Sequence, residues 1–181
     1  MHDLIELKKL HPKIVLEILY ATKNNFTGKV VYPSARCFLR EKTAERLVKV
    51  QRRLEKRGLG LKIWDGYRPL SVQKIFWEIC PNPKFVADPA IGSRHNRGAA
   101  VDLTLVDREG RELEMPTGFD DFSERADRSY RGKGRKNREL LEEAMGAEGF
   151  LMYQEEWWHF DDPEWEGYEI LDVSFDELAR G

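Results

Sequence analysis

The nine residues from 98 to 106, GAAVDLTLV, predict a β-strand that carries one acidic side chain, Asp102, in its middle. Ala100 and Thr104 share the face of Asp102, because side chains alternate along a strand, and both are small enough to leave room for a site. An ionised carboxylate between two aliphatic residues must be solvated, paired or bound to a metal ion. Asp102 is therefore the first candidate functional residue of this chain.

The segments on both sides of this strand predict a mixture of helices and strands. The helices are expected over 3–10, 41–57, 72–79 and 137–148, and the strands over 14–20, 61–67, 150–153 and 157–161. Ser71 is the expected N-cap of the third helix, and the charge-rich residues 116–136 indicate an exposed loop. Because the later strands are close enough along the chain to pair as neighbours, we expect an α+β fold. Residues 1–181 should form a single domain with a small antiparallel or mixed central sheet flanked by helices.

The composition indicates a folded protein and argues against several functional classes. Of the 181 residues, 41% are hydrophobic, which is enough to bury a core, and 30 basic against 32 acidic side chains give a net charge of −2. That balance argues against a nucleic-acid partner or an anionic membrane surface. No apolar run approaches the roughly 20 residues of a membrane-spanning helix, and the first residues lack the pattern of a secretion signal. Cys37 and Cys80 are too few for a disulfide scaffold, so we expect a cytoplasmic protein, whose oligomeric state stays open.

Two of the four histidines stand beside other residues that carry chemistry. His95 precedes the strand of Asp102 and His159 follows two tryptophans, whereas His2 and His11 are expected to be ordinary surface residues. Two imidazoles and one carboxylate form a ligand set for a catalytic zinc ion that keeps one position open for water. The alternatives are that His95 is an ordinary loop histidine and that His159 is a core histidine.

A metal-dependent hydrolase also needs a carboxylate that touches the attacking water without binding the metal ion. Glu155 and Glu156, just before His159, are the candidates. In a regular strand Glu155 shares the face of His159, whereas Glu156 needs a bulge or a turn to reach the same side. Trp157 and Trp158 are either walls that keep water out of the site or core aromatic residues.

Four motifs together resemble a known enzyme family. The pattern SxHxxGxAxD at 93–102 and the sequence EWWH at 156–159 are preceded by NFTG at 25–28 and WDGYRP at 64–69. In this order they resemble the zinc D-alanyl-D-alanine dipeptidases of the VanX type, within the wider group of D-Ala-D-Ala metallopeptidases. The matches extend from about residue 20 to about residue 160, and their combination favours the dipeptidase branch.

The resemblance implies a metal site and a proton carrier. His95, Asp102 and His159 would bind one zinc ion, and Glu156, rather than Glu155, would be the general base and acid that serves the zinc-bound water. We follow the resemblance here and not the alternation of side chains, because alternation holds only if the chain is regularly extended up to His159.

The resemblance also implies residues that contact the substrate. Arg68 would stabilise the oxyanion of the tetrahedral intermediate, as a fixed cation aimed at developing negative charge does. Ser93 is a candidate for the carboxylate of the substrate and Asp120 for its ammonium group, with Asp121 as the adjacent alternative. Tyr20 is a third candidate for substrate contact.

The expected reaction is hydrolysis of D-alanyl-D-alanine, or of a close D,D- or L,D-dipeptide, to free amino acids in cell-wall turnover. The alternatives are a cell-wall D,D-carboxypeptidase or endopeptidase with the same zinc site, and a non-catalytic zinc-binding module. The chain departs from the family in a short segment at 79–93 and a basic loop at 128–136, which both affect the shape of the substrate cap. Because acidic residues accompany this basic loop, we interpret it as a solvated lid and not as a nucleic-acid surface.

Overall fold

The strands form two sheets within residues 3–180, the part of the chain that this computed structural model describes. In chain order they are β1 (Leu4–Glu6), β2 (Val15–Leu16), β3 (Phe38–Arg40), β4 (Gly60–Asp65), β5 (Ala100–Val106), β6 (Leu151–Met152) and β7 (His159–Asp161). β1 pairs antiparallel with β3, and the other five strands form a sheet in the order β2-β4-β5-β7-β6. β2 runs parallel to β4 and the remaining pairs are antiparallel, so this sheet is mixed.

Five α-helices accompany the sheets in the described residues. They are α1 (Leu7–Leu10), α2 (Glu41–Glu55), α3 (Leu70–Ile79), α4 (Arg135–Gly146) and α5 (Phe175–Ala179). The amphipathic helix α2 buries Leu47 and Leu54 and packs against β4 and α4, while α4 buries Leu141 and packs against β5 and β6. The prediction of an α+β fold with a small mixed sheet flanked by helices is therefore confirmed.

β5 lies at the centre of the five-stranded sheet, between β4 and β7, and all of its residues are buried. Val101 and Leu103 contribute to the hydrophobic core. The register brings Asp102 opposite Asp65 on β4 and opposite His159 on β7. The strand with the buried acid thus positions residues that come from three separate parts of the sequence.

Several local predictions differ from the structure, because tertiary contacts decide these segments. Residues 3–10 split into β1 and α1, since Leu4–Glu6 pair with β3. Of the strand expected at 14–20 only Val15–Leu16 form, and the chain then turns into a 3₁₀ helix at Leu19–Ala21. Ser71 does not cap α3, which begins at Leu70; its backbone N–H donates instead to Asp172 Oδ1, at 2.7 Å.

The charge-rich segment 116–136 is only partly exposed, which corrects the prediction of an exposed loop. Arg128 is buried, and its Nη2 donates to the carbonyl oxygen of His159 at 2.7 Å. The strand expected at 157–161 begins at His159, because residues 157–158 lie in a turn. His2 lies outside the described residues. Within residues 3–180, every helix is too short or too polar to traverse a bilayer.

Candidate active site

His95, Asp102 and His159 converge at the middle of the mixed sheet. His95 comes from a 3₁₀ helix at Arg94–Arg97, Asp102 from β5 and His159 from β7. His95 Nε2 lies 3.2 Å from His159 Nδ1 and 3.3 Å from Asp102 Oδ2, and His159 Nδ1 lies 3.0 Å from Asp102 Oδ1. Ligand atoms about 2.0–2.1 Å from a tetrahedral zinc ion lie about 3.3 Å apart, so these separations fit such an ion.

In each histidine ring, the nitrogen that faces away from the cluster makes a hydrogen bond, and this bond determines whether the nitrogen that faces inward can bind a cation. His95 Nδ1 lies 2.7 Å from the carbonyl oxygen of Gly66, and His159 Nε2 lies 2.8 Å from Asp161 Oδ1. Both oxygens can only accept, so each outer nitrogen carries the proton and each neutral ring turns a lone pair inward. Two lone pairs and one carboxylate at these distances require a positive charge between them. The donor set of this chain therefore fits a divalent metal ion.

The electrostatics of the three residues favour the same conclusion. Burial alone lowers the pKa of His159, but the carboxylates of Asp161 and Asp102 outweigh burial and raise it to about 10. Burial raises the pKa of Asp102, yet the two histidines hold it well below its ordinary value. Without a metal ion, a proton on the imidazole supplies the positive charge that the site requires.

The two glutamates before His159 point to different places. The Glu156 carboxylate lies 3.9 Å from His159 Nδ1 and lines the cavity that contains the three residues, whereas Glu155 is exposed and lines an adjoining cavity of about 710 Å³. Regular strand geometry does not apply here, because residues 154–155 and 157–158 lie in turns and the His159 N–H donates to the Glu156 carbonyl. Burial raises the pKa of Glu156 to about 7, although the neighbouring histidines oppose the shift. A carboxyl group with this pKa can both accept and release a proton near neutral pH.

Arg68 also lines the cavity, and buried side chains hold it in place. Its Nε and Nη2 donate to Asp65 Oδ2 at 3.2 and 2.7 Å, and its Nη1 donates to Gln73 Oε1 at 2.8 Å. Asp65 Oδ1 accepts further hydrogen bonds from the Tyr32 hydroxyl and from the backbone of Gly66. Neither Asp65 nor Gln73 is among the candidates predicted from the sequence. The only signal for Asp65 was its place in the same WDGYRP motif as the arginine.

The cavity has a volume of about 420 Å³ and brings together the candidates for substrate contact. Tyr20, Ser93 and Asp120 line it, whereas Asp121 faces the adjoining cavity. The Tyr20 hydroxyl donates to Asp120 Oδ2 at 2.7 Å, and burial raises the pKa of Asp120 well above its ordinary value. Asp120 has a φ of 55°, in the left-handed region that aspartate tolerates better than most residues. An ammonium group beside this acid would stabilise its ionised form.

The two tryptophans have separate roles. Trp158 lines the cavity, while Trp157 is a fully buried core residue whose Nε1 donates to Thr117 Oγ1 at 2.8 Å. Ser93 Oγ accepts the backbone N–H of His95 at 3.2 Å, so its own hydroxyl hydrogen can be donated to a ligand. Asp161, which sequence reasoning missed, orients His159 from behind.

Comparisons with known proteins show the family of this chain. A family model described as D-ala-D-ala dipeptidase (peptidase M15) matches residues 1–177. The D-alanyl-D-alanine dipeptidase of Escherichia coli is 39% identical over 176 residues, which cover 96% of this chain and 91% of that protein. The D-alanyl-D-alanine dipeptidase of Enterococcus faecalis is 34% identical over 165 residues, which cover 78% of this chain and 82% of that protein.

A solved structure with a similar fold is a mutant of VanY, a vancomycin-resistance D,D-pentapeptidase, in complex with Zn(II). It superposes with a TM-score of 0.51 and 16% sequence identity over 87% of this chain and 83% of that chain. At this level of identity the likeness shows the fold alone.

Proposed function

Because the chain belongs to the D-Ala-D-Ala dipeptidase family, and is therefore a metallopeptidase, we propose that it hydrolyses D-alanyl-D-alanine or a close D,D- or L,D-dipeptide to free amino acids. One observation carries the proposal. A cavity of about 420 Å³ contains a three-residue metal-binding set, an acid of raised pKa, a fixed arginine and an aspartate able to receive an ammonium group. The family match over residues 1–177 supports the view that residues 1–181 form one such domain.

The metal ion of the proposal is one zinc ion, held by His95 Nε2, an oxygen of Asp102 and His159 Nδ1. The inward lone pairs and the separations of 3.0–3.3 Å support this set of ligand atoms. The family match and the Zn(II) complex of the VanY neighbour support zinc as the metal ion. When bound there, zinc supplies a Lewis acid that polarises the scissile carbonyl and lowers the pKa of water.

Glu156 is the proposed proton carrier. Its carboxylate lies beside His159 without joining the three donor atoms, and it faces the cavity. In this position it accepts a proton from the attacking water and returns that proton to the amine that departs. Its raised pKa supports both transfers, since neither protonation state is strongly disfavoured near neutral pH.

Arg68 is the proposed oxyanion partner. Three of its N–H groups donate to Asp65 and Gln73, which leaves the guanidinium fixed at the wall of the cavity. A cation that is already oriented stabilises developing negative charge without reorganising during the reaction.

The dimensions and charges of the cavity support a dipeptide as substrate. Asp120, oriented by the Tyr20 hydroxyl, is the proposed partner of the ammonium group, and Ser93 is a donor for the carboxylate. A cavity of this volume suits a ligand the size of a dipeptide, whereas a cross-linked glycan would need a long open groove.

The experiment that tests the proposal measures release of D-alanine from D-alanyl-D-alanine by zinc-loaded protein, with the N-acetylated dipeptide in parallel. We expect cleavage of the free dipeptide alone, because the ammonium group is needed beside Asp120. Cleavage of the blocked substrate as well would make the protein a carboxypeptidase. Cleavage of neither substrate by zinc-loaded protein would exclude D-alanyl-D-alanine as the substrate, and failure to cleave other D,D- and L,D-dipeptides as well would overturn the proposal.

A further inference from the structure

Besides Arg68, the cavity contains basic side chains that the proposed function leaves without a role, and Arg94 is one of them. In the part of the chain that the structure describes, four Lys and Arg residues line the cavity: Arg68, Lys84, Arg94 and Arg97. A dipeptide has one C-terminal carboxylate, and any of these four cations could in principle bind it.

Three of the four are poorly suited to the task. Arg68 is buried and held by Asp65 and Gln73. Arg97 donates Nη1 to the carbonyl oxygen of Tyr168 and is thereby tied to the C-terminal segment. Lys84 is exposed at the end of a flexible side chain, and an ammonium group lacks the planar fork that matches a carboxylate.

Arg94 is both held and accessible. Its guanidinium lies over the ring of Trp165, with Cζ 4.5 Å from the ring centroid, and Nη1 lies 3.4 Å from Asp161 Oδ2. The side chain nevertheless remains 36% exposed and lines the cavity. Stacking on one face orients the fork and leaves its edge able to donate to a ligand.

The neighbours of Arg94 place this cation close to the reacting centre. Asp161 accepts from the metal-site residue His159 through Oδ1 and faces Arg94 through Oδ2, so a single carboxylate separates the guanidinium from the imidazole. Ser93, the residue before Arg94, can donate its hydroxyl hydrogen into the same cavity. Two potential donors from adjacent residues thus line the same cavity.

We propose that Arg94 binds the C-terminal carboxylate of the dipeptide and so makes the enzyme specific for substrates with a free carboxyl end. The inference rests on the proposed function and names the residue that recognises this end of its substrate. Arg94 donates its N–H groups to the carboxylate in a charge-assisted contact, with Ser93 as the neighbouring neutral donor.

The test compares D-alanyl-D-alanine with its C-terminal amide, using zinc-loaded wild type, Arg94→Ala and Arg94→Lys. We expect wild type to prefer the acid, and Arg94→Ala to lose about ten- to a hundredfold of that preference, chiefly through KM for the acid. Arg94→Lys should retain part of the preference, since it keeps the charge but not the fork. Arg97→Ala is the matched control, because it removes a neighbouring arginine near the same tryptophan and should leave the preference unchanged.

The zinc content of each variant distinguishes binding from an effect through Asp161. If Arg94→Ala loses activity equally on the dipeptide and on its C-terminal amide, or if it loses zinc, Arg94 only balances the charge of Asp161. The proposal would then be wrong. If wild type cleaves neither compound, the proposed function fails and the role of Arg94 falls with it. If wild type cleaves the acid while the preference survives in Arg94→Ala, only the role of Arg94 is refuted.

Discussion

Asp65 shows how a single buried residue prepares the proposed chemistry. Its carboxylate has no exposed surface and accepts from Arg68, from Tyr32 and from the backbone of Gly66. Its Oδ2 also lies 3.8 Å from His95 Nδ1. The charge of Asp65 thus keeps the guanidinium at the cavity wall, and we class it as a positioning residue that does not itself touch the substrate.

We predict that Asp65→Asn lowers kcat by about ten- to a hundredfold with a smaller change in KM, because the amide removes the negative charge that pairs with the guanidinium and its NH2 group cannot accept from the Gly66 N–H. Steady-state kinetics on D-alanyl-D-alanine would measure the effect, and circular dichroism would check the fold. Asp107→Asn is the matched control, since Asp107 forms an exposed pair with Arg111 and such pairs contribute little. Equal activity of the two variants would contradict the role given to Asp65.

The two adjacent glutamates allow a paired test of the proton carrier. We predict that Glu156→Gln retains zinc but loses at least about a hundredfold in kcat, the usual contribution of a general base. Glu155→Gln should be close to wild type, because Glu155 is exposed and faces the other cavity. If Glu155→Gln is the inactive variant, the assignment of the base is wrong.

The short 3₁₀ helix at Arg94–Arg97 is the element that presents His95. Ser93 and Asn96 cap it reciprocally, and Asn96 Nδ2 donates to the Arg68 carbonyl at 2.9 Å. The Arg68 N–H donates in turn to the His95 carbonyl at 3.0 Å. These bonds link the turn that contains His95, a proposed zinc ligand, to the turn that contains Arg68, so the two candidates are positioned as one unit.

The glycine at the end of this helix is required by its conformation and its surroundings. Gly98 has a φ of 68°, and a Cβ there would lie 2.5 Å from Leu4 Cδ2 and 3.3 Å from the backbone nitrogen of Arg40. We predict that Gly98→Ala lowers the free energy of unfolding by about 1–3 kcal/mol and weakens zinc binding. Urea unfolding and zinc titration would measure both effects. Gly167→Ala, at the end of another 3₁₀ helix with open space around it, should be nearly neutral, and comparable losses in both variants would refute this explanation.

At the scale of the whole molecule, the proposed zinc ion connects three parts of the chain that fold together. Its ligands come from the 3₁₀ helix before β5, from β5 and from β7. Arg128 holds the backbone of this region in place by donating to the carbonyls of His159 and Tyr153. Because the three ligands meet only in the folded chain, metal binding should stabilise the fold.

We predict that removal of zinc with a chelator lowers Tm by on the order of 5–10 °C, and that adding zinc back restores it. Saturation at 100 times Kd stabilises a protein by about 2.7 kcal/mol, and a domain of this size loses about 2–4 °C per kcal/mol. Thermal denaturation with and without zinc measures the shift. His159→Ala should bind little zinc and show no shift, so an unchanged shift and zinc content in that variant would remove His159 from the ligand set.

The sequence by itself determined the elements whose patterns are long and regular. Periodicity predicted the helices at 41–57 and 137–148 close to their observed bounds of Glu41–Glu55 and Arg135–Gly146, because each has an apolar face that a core must cover. Asp102 could be identified as a candidate because it is an acidic residue within an apolar strand, and a buried carboxylate needs a partner wherever the strand lies. Residue type and motif order also identified the family.

Only the tertiary structure decided which side chains meet. Asp65 and Tyr32, Arg128 and His159, and Arg94 and Asp161 are separated by 31 or more residues, and local periodicity carries no information about such pairs. The alternation of side chains in an extended strand favoured Glu155, whereas the turns at 154–155 and 157–158 direct Glu156 into the cavity. Likewise, residues 14–20 have the β-branched composition of a strand, yet only Val15 and Leu16 pair with β4, and the chain then forms a 3₁₀ helix that buries Tyr20. Composition sets what each segment can form, and the contacts between distant segments select the conformation that buries the most apolar surface while satisfying its polar groups.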